Sequence, residues 1–375
     1  MSSRPFWQDT AGAMLSIDLG AIRDNWRQLR GRAGGARCAA VLKADAYGLG
    51  ATRVAPVLAD AGCRDFFVAH LDEALALKPV LPAGATLIVL HGPTPGAEAE
   101  FVANGVLPVL NSLAQITAWR ALAQRLDREL PAFVQVDTGM ARLGLSAEEL
   151  RAVAGDAQAT AGIRVAGVMS HLTCAEDQAH PANRTQLERF LAARRLLPAA
   201  PASLANSSGI FLGADYHFEL VRPGAALYGV APVAGAANPM RPVVRLQGKV
   251  IQAREIEPGT PVGYGHSWHS SGRRARIATV AVGYADGWLR SLSNRGCAWA
   301  GDVALPLVGK VSMDTITLDA SALPDGALQP GSLVELIGER QGVDAVAAQA
   351  GTIGYEILTS LGARYARRYV GELEK

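Results

Sequence analysis

The chain alternates short apolar runs with amphipathic segments from about residue 15 to about residue 235. In the amphipathic segments apolar residues recur at helical spacing, as Leu187, Phe190 and Leu191 do. Strands that are continuous apolar runs are typical of a parallel sheet covered by helices on both faces. The pattern predicts strands at 38–43, 66–70, 86–92, 107–110, 132–137 and 164–171, and helices that include 113–129 and 182–197.

Roughly seven or eight strand candidates of this kind, spread over about 220 residues, predict a (β/α)8 TIM-type barrel. A doubly wound sheet is the alternative, but no G-x-G-x-x-G opens any of the predicted helices. In a barrel the carboxyl ends of the strands form one mouth, where catalysis takes place. Polar residues fall at the predicted strand ends, namely Lys43, His70, Asp137, His171, Asn206 and Arg222.

The pattern changes at residues 234–239, where glycine, alanine, asparagine and proline gather. Beyond this point, β-rich runs are separated by turn signals such as Glu257–Pro258–Gly259, and two predicted helices close the chain. We therefore expect a barrel domain over 15–237. A mostly β domain follows over 238–375 and includes the N-terminal residues 1–14. Its predicted strands are 243–253, 276–284, 304–313 and 332–338, and its helices are 343–350 and 355–361.

Composition narrows the class of protein. Hydrophobic residues make up 49% and charged residues 19%, which is typical of a globular protein. The net charge of +2 does not indicate a nucleic-acid partner. The four cysteines are scattered without C-x-x-C spacing, so we expect neither a zinc site nor disulfides. No apolar stretch reaches the length of a signal segment or a membrane span, so we expect no membrane association and a cytoplasmic location.

Lys43 follows the apolar run Ala39–Leu42. Burial would lower the pKa of its amine and supply the free base that imine chemistry needs. On position alone, a lysine that emerges into solvent where a strand ends is the more frequent case.

The segment A-V-L-K-A-D-A-Y-G (40–48) closely resembles the cofactor-lysine signature of alanine racemases. The resemblance implies a barrel followed by a β domain in a head-to-tail homodimer, with pyridoxal 5′-phosphate held by Lys43 as a Schiff base. Further blocks resemble the family in family order over nearly the whole chain: 137–144, 169–172, 206–208, 222–229, 262–265, 282–287, 311–314 and 351–356.

A cofactor phosphate needs clustered backbone donors and hydroxyl groups. By resemblance, the cofactor-binding set consists of Lys43, Tyr47, His171, Asn206, Ser207, Arg222, Gly224, Ala225 and Tyr355. Within it the resemblance places Arg222 opposite the pyridine nitrogen. Arginine stays protonated and has no proton to give that nitrogen, so the ring remains a weak electron sink and reprotonation at Cα is favoured. On residue type alone, Asn206–Ser208 would equally be a loop or a helix cap.

Racemisation removes the Cα proton from one face and returns a proton to the other, so it needs an acid–base group on each side. By resemblance these groups are Lys43 and Tyr264, the latter donated by the partner subunit. A tyrosine of ordinary pKa, about 10, is a poor base at neutral pH. The resemblance therefore gives His171 a coupling role between Tyr264 and Arg222. Without the motif, His171 would equally be a histidine satisfied within the core.

The substrate carboxylate needs a cationic or amide clamp. By resemblance, Arg142 binds it through its planar fork, together with the backbone amide of the partner's Met313. Asp314 and Tyr284 line the same entrance in the family. By resemblance, Tyr355 and the partner's Met313 leave room for little more than a methyl group, which favours alanine. A small apolar pocket rejects an added hydroxyl only modestly, so a secondary activity on serine is expected.

Two positions depart from the family pattern. Gln135 stands where many members have a lysine that becomes carbamylated and orients the arginine, so we expect Arg142 to be placed without CO2. Leu49 stands where many members have histidine, and no mechanism is attached to that difference.

The predicted function is the interconversion of L- and D-alanine, supplying D-alanine for peptidoglycan, with a catabolic role as the alternative. A decarboxylase of similar architecture is the competing enzyme, and the tyrosine and arginine blocks favour the racemase. A non-catalytic single-barrel cofactor carrier is a third possibility, but such proteins lack a β domain like the one expected at 238–375. No metal is expected.

Overall fold

The computed structural model describes residues 10–371, which form two compact units. The first unit contains Ile22–Leu227 and Ala231–Met240. The second contains the residues up to Ala21, Tyr228–Val230 and the chain from Arg241 onward. The domain boundaries expected from the sequence remain a prediction. Residues 1–9 and 372–375 of the expected β domain lie outside the described residues.

The described chain begins with strand β1 (Ala13–Asp18) and helix α1 (Leu19–Arg32), and then enters a ring of parallel strands in the first unit. Strands β3 to β9 pair in sequence order, and β10 pairs with β2. The ring closes through β10, because the Ala39 amide donates to Val221 O (2.9 Å) and the Arg222 amide to Ala205 O (2.9 Å). The strands are β2 (Arg37–Cys38), β3 (Ala40–Val41), β4 (Asp65–Val68), β5 (Thr86–Val89), β6 (Leu107–Leu110), β7 (Leu130–Gln135), β8 (Ile163–Met169), β9 (Ala202–Ser203) and β10 (Leu220–Val221).

These strands are apolar because both faces of the ring are covered. All four residues of β4 are buried, and its Phe67 packs edge-on against Phe133 of β7 with ring centroids 6.0 Å apart. Because these strands are buried on both faces, the barrel was predictable from continuous runs of apolar residues rather than from an alternation of apolar and polar residues.

Helices separate the barrel strands, and several begin at a side-chain cap. Ser112 Oγ accepts from the Gln115 amide (3.2 Å), and Ser146 and Glu149 cap each other reciprocally. The helices predicted at 113–129 and 182–197 are confirmed but shorter. A left-handed Asp127 follows the first, and Pro198 stands shortly after the second. The helices are α2 (Ala51–Asp60), α3 (Leu71–Leu77), α4 (Glu98–Asn104), α5 (Leu113–Arg125), α6 (Ala147–Gly155) and α7 (Pro181–Arg194).

The second unit is built on a mostly antiparallel sheet in the order β16-β15-β18-β11-β1-β19, to which β14 and β17 are added. The mostly β character expected of the C-terminal region is confirmed. The remaining strands are β11 (Val244–Ile256), β12 (Pro261–Val262), β13 (Trp268–His269), β14 (Ala275–Val280), β15 (Cys297–Ala300), β16 (Val303–Pro306), β17 (Ile316–Asp319), β18 (Leu333–Ile337) and β19 (Ala366–Val370), and the helices are α8 (Val343–Ala350) and α9 (Gly354–Ser360).

Strand β1 is part of this second sheet, where it pairs antiparallel with β11 and parallel with β19. Its residues alternate between buried and partly buried. A strand with one face on a core shows this period of two, whereas the barrel strands do not. Residues 15–18, expected at the start of the barrel domain, thus pair with the C-terminal sheet.

All four cysteines are free thiols. Across residues 10–371, no helix combines the length and the apolar character needed to cross a membrane.

Candidate active site

The six polar residues predicted at strand ends all lie within three residues of the carboxyl end of a barrel strand. Lys43 follows β3, His70 follows β4, and Asp137 follows β7. The other three are His171 after β8, Asn206 after β9 and Arg222 after β10. The strand register of the barrel therefore places these groups at one mouth, as the sequence predicted.

Lys43 is followed by a left-handed turn. Ala44, Asp45, Ala46 and Tyr47 all have φ between 54° and 56°. For residues with a Cβ this conformation costs roughly 1–2 kcal/mol each, so the surrounding structure must hold it. At its far end, Asp45 Oδ1 accepts from the Ala51 amide (2.7 Å). At its near end, the Ala44 amide donates to Glu73 Oε1 (2.6 Å).

Lys43 itself is only partly exposed. Burial lowers the pKa of its amine, and the nearby Arg142 guanidinium lowers it further, whereas Glu73 opposes both. The environment thus favours the neutral amine that can form an imine or accept a proton.

Three groups of the first unit form a cradle for an anion. Ser207 Oγ accepts from the amides of Gly224 (2.9 Å) and Ala226 (3.2 Å), and Ser207 and Tyr47 are buried. A Cβ built on Gly224 would lie 2.3 Å from Tyr47 Oη, so only glycine lets that hydroxyl approach the backbone. Hydroxyls and amides that converge in this way fit a phosphate group. Asn206 is differently engaged, since its Oδ1 accepts from the Gly209 amide (2.9 Å) and caps a short turn.

Arg222 is buried and held on two sides. Its Nη1 donates to Ser203 Oγ and its Nη2 to Ser170 O (2.6 Å). Within the described part of the chain, Nε makes no hydrogen bond, so this N–H is available to a bound acceptor. Burial lowers the pKa of Arg222 to about 10, which leaves it a cation at neutral pH.

His171 lies among cations. Burial first, and then Arg222, Arg142 and Lys43, lower its pKa to about 3, so its imidazole is neutral. Gln186 of α7 fixes the segment by donating to His171 O (2.9 Å) and to Thr138 Oγ1 (3.1 Å). Lys43, Arg142, His171 and Arg222 thus form one electrostatic cluster.

Arg142 is presented by a closed loop after β7. The Asp137 carboxylate accepts from the amides of Gly139, Met140 and Ala141 at 2.8–3.0 Å. Burial alone would raise the pKa of Asp137, but these donors bring it below its usual range. Gly144 closes the loop at φ 106°, where a Cβ would lie 2.7 Å from the backbone of residues 136–137. The Cγ atom of the buried Gln135 lies 3.1 Å from the same Cβ position.

The remaining predicted residues belong to the second unit. Tyr264 is on a short turn between Gly263 and Gly265, both at positive φ, and its side chain is exposed. Met313, Tyr284 and Tyr355 are also exposed. The backbone N–H of Met313 has no hydrogen-bond partner in the range 10–371, as an amide clamp for a carboxylate requires.

Tyr284 and Met313 are tied together. The amides of Tyr284 and Ala285 donate to Ser312 O (3.0 Å) and Met313 O (2.9 Å). Arg364 bridges both loops through a bidentate ion pair with the buried Asp286 and a contact from Nη1 to Asp314 Oδ1 (2.7 Å).

Sequence reasoning missed the residues that support the site. Among them only Glu73 carried a recognisable signal in the sequence. It stands three positions after His70 at the start of a helix, which is the spacing of a capping box. The others act through tertiary contacts and leave no local pattern. They are Ser170, Gln186, Ser203, Arg364 and His91, whose ring packs on His70 with centroids 4.6 Å apart.

Comparisons with known proteins identify the family of the chain. Residues 17–232 match the family model for the alanine racemase N-terminal domain, and residues 243–369 match the one for the C-terminal domain. A catabolic alanine racemase of Mesorhizobium japonicum is 55% identical, over 98% of this chain and 96% of its own length. An alanine racemase of Brucella canis is 51% identical, over 98% of this chain and 97% of its own length.

A solved structure shows the same architecture. The alanine racemase of Bartonella henselae, with covalently bound pyridoxal phosphate, superposes with a TM-score of 0.93 at 44% identity. The match covers 96% of this chain and all of that one.

Proposed function

The chain belongs to the alanine racemase family, and from this premise we propose that Lys43 and Tyr264 are the two acid–base groups of its reaction. The enzyme interconverts L- and D-alanine and uses pyridoxal 5′-phosphate. The decarboxylase and the non-catalytic carrier considered from the sequence are thereby set aside. The individual residue roles are our proposal.

When bound, the cofactor supplies the electron-withdrawing system that makes the Cα proton of alanine removable. We propose that Lys43 holds it covalently, and that its phosphate is bound by Ser207, by Tyr47 and by the Gly224 amide, which would turn from Ser207 Oγ to the phosphate. Ala225, Asn206 and Tyr355 complete this set in the prediction from sequence. The Asn206 side chain already caps a turn, which leaves its backbone or a rearranged amide for that role.

Arg222 would face the pyridine nitrogen with its unengaged Nε. A guanidinium with a pKa of about 10 keeps its proton at neutral pH, so the ring nitrogen stays unprotonated. This limits the delocalisation of the negative charge and favours return of a proton to Cα. The hydrogen bonds to Ser203 and Ser170 fix the direction of the guanidinium.

The observation that carries the assignment is the cluster of Lys43, Arg142, His171 and Arg222 at the barrel mouth. Burial and then the Arg142 guanidinium lower the pKa of Lys43, and the positive charges of the cluster stabilise an anion brought close to them. A tyrosine placed against such a cluster becomes a better base. A neutral His171 can relay a hydrogen bond between that tyrosine and Arg222 without adding a charge.

We propose that Arg142 and the Met313 amide clamp the substrate carboxylate, with Asp314 and Tyr284 at the entrance. The Arg142 fork has no ion-pair partner among the described residues, and the Met313 N–H is unpaired. Since Gln135 carries no charge, placement of Arg142 does not depend on CO2. Serine is expected as a slow alternative substrate.

We further propose a homodimer in which each site takes Tyr264 and Met313 from the partner subunit. Support comes from exposure, because both side chains are more than half exposed in the single chain. Apolar and aromatic groups presented in this way are typical of surfaces that become buried on association.

We propose two alternative physiological roles. Supply of D-alanine for peptidoglycan in the cytoplasm follows from the sequence prediction. The name of the Mesorhizobium japonicum relative favours a catabolic role instead. Growth of a deletion strain with and without D-alanine separates them, since only the first role makes growth depend on added D-alanine.

The two-base assignment is tested with Tyr264→Phe and Cα-deuterated alanine. An equilibrium constant of one forces equal kcat/KM in both directions, so rates alone cannot reveal which base was lost. The primary isotope effect on kcat/KM should increase for the enantiomer deprotonated by Tyr264 and fall for the other, because slower reprotonation makes removal of the deuteron by Lys43 reversible. Tyr369→Phe on β19 is the control, and equal increases for both enantiomers in Tyr264→Phe would contradict the assignment.

A further inference from the structure

The carboxylate of Glu73 joins three backbone amides from two segments of the barrel mouth. Its Oε1 accepts from the Ala44 amide (2.6 Å), and its Oε2 accepts from the amides of Ala69 (2.7 Å) and His70 (3.1 Å). Both oxygens are therefore engaged, and each hydrogen bond gains from the negative charge. One side chain thus connects the residue after Lys43 to the segment that follows β4.

The Glu73 carboxylate holds the backbone that directly follows Lys43. Ala44 is the first of the four left-handed residues and directly follows Lys43. A left-handed turn of residues with a Cβ reverts unless tertiary contacts retain it. Its far end is retained by Asp45 and the Ala51 amide, but those contacts are made beyond the lysine. Glu73 retains the end from which the Lys43 side chain starts.

Glu73 also contributes the negative charge in a neighbourhood of cations and imidazoles. Arg142 from the loop after β7 lowers the pKa of Lys43, and Glu73 is the group that raises it. Besides burial, Lys43 lowers the pKa of His91, which follows β5, and the pKa of His171, which follows β8. Glu73 raises the pKa of His91. A neutral residue at position 73 would leave Lys43 facing Arg142 with no opposing charge.

We propose that Glu73 is a positioning residue for Lys43: its carboxylate fixes the start of the left-handed turn against the end of β4 and so sets the direction of the lysine. The inference rests on the proposed role of Lys43 as the cofactor lysine.

The chain offers a matched control for testing it. Glu149 occupies the same place in α6 as Glu73 does in α3. Its Oε2 accepts from the amide of the preceding cap residue Ser146 (2.9 Å), and its Oε1 from the Leu113 amide of another segment (3.0 Å). Glu73→Gln and Glu149→Gln therefore remove the same charge from the same kind of cap, and only the first is next to Lys43.

The measurement is hydrogen exchange by mass spectrometry on the holoenzymes, followed over the peptide that contains 42–50. Hydrogen bonds to charged groups contribute a factor of roughly ten to a hundred, so exchange in this peptide should accelerate about that much in Glu73→Gln. It should stay at the wild-type rate in Glu149→Gln. The visible circular dichroism of the bound cofactor should weaken only in Glu73→Gln, because it reports a fixed orientation of the group that Lys43 holds.

Equal exchange rates and equal visible dichroism in the two variants would overturn the proposal. Glu73→Asp guards against a folding defect, since the shorter carboxylate keeps the charge but cannot span all three amides. It should give intermediate exchange and dichroism, and wild-type values for both would also contradict the proposal. Reduction of the holoenzyme with borohydride, then peptide mapping, tests the premise separately. If the cofactor maps to another lysine, the proposed function fails, while a faster exchange of 42–50 would still establish the anchoring.

Discussion

The site residues of the two units differ in how far a single chain completes them. In the barrel, Arg222, Ser207 and Tyr47 are 3%, 4% and 6% exposed, and hydrogen bonds to their own unit fix the first two. In the second unit, Tyr264 and Met313 are 68% and 54% exposed. The Met313 amide has no partner among the described residues.

The difference in exposure corresponds to two functions, namely binding of the cofactor and action on the substrate. A cofactor that stays bound through many turnovers needs a preformed cradle, and the barrel supplies one at the ends of its strands. Of the groups that we propose to act on the substrate, Lys43 and Arg142 belong to the barrel, whereas Tyr264 and the Met313 amide are presented by the second unit on exposed turns. We expect substitutions in the cofactor cradle to change the bound cofactor, and substitutions that affect the exposed turns to change kcat or KM while the bound cofactor stays unchanged.

The largest effect that this contrast predicts is that of Lys43→Ala. Without the amine, the variant should lose the visible absorbance of the lysine-bound cofactor and lose turnover by roughly a thousandfold or more. Tyr264→Phe, compared by the same absorbance spectrum, should keep the band. Retention of the wild-type band in Lys43→Ala would break the division between the two units.

Mixed dimers provide the second test. Lys43→Ala and Tyr264→Phe subunits, co-expressed with different tags and purified through both, should regain about half of the wild-type activity. In a head-to-tail dimer one of the two sites then combines an intact Lys43 with an intact partner Tyr264, and the other lacks both. Activity no higher than that of the separate variants would show that each site is completed within one chain.

A smaller effect is expected from Arg364→Gln, which releases both loops at the entrance. Asp286 and Asp314 lose their shared partner, so Tyr284 and Met313 become less well placed. KM for alanine should rise roughly three- to tenfold, below the hundredfold that a misplacement of about 1 Å costs, with an unchanged cofactor spectrum. Arg340→Gln is the control, since Arg340 is similarly exposed and pairs with the exposed Asp302. An unchanged KM in Arg364→Gln would separate the ion pairs from substrate binding.

The sequence predicted the barrel well, because continuous burial leaves a run of apolar letters that local reasoning can recognise. The short strands β9 and β10 were expected only from the polar residues at their ends, Asn206 and Arg222, without ranges, and the C-terminal β19 was not predicted, since two to five residues carry too little pattern. Strand β1 was not predicted for another reason. Its partners β11 and β19 lie more than two hundred residues away in the sequence, and no local signal encodes such a pairing.

For the site, the motif positions were predictable but the backbone that presents them was not. Nothing in Ala-Asp-Ala-Tyr indicates four consecutive left-handed residues, because alanine disfavours that conformation and tertiary contacts impose it. The same holds for Ser170, Ser203 and Gln186, which orient Arg222 and His171 through hydrogen bonds between distant strands and helices.

His171 tests the barrel side of the contrast through the pH dependence of stability. Its pKa falls from an ordinary 6.5 to about 3 in the folded protein, mainly through burial. As pH falls below about 6.5, the unfolded chain therefore binds a proton at His171 that the folded chain does not bind, so the free energy of unfolding declines. His171→Gln cannot be protonated, so its urea midpoint should fall less than that of the wild type between pH 7 and pH 4. The exposed His269→Gln controls for loss of an imidazole. Parallel curves for the wild type and His171→Gln would mean that the folded chain binds this proton with an ordinary pKa, and a relay through an imidazole that stays neutral across this pH range would have to be abandoned.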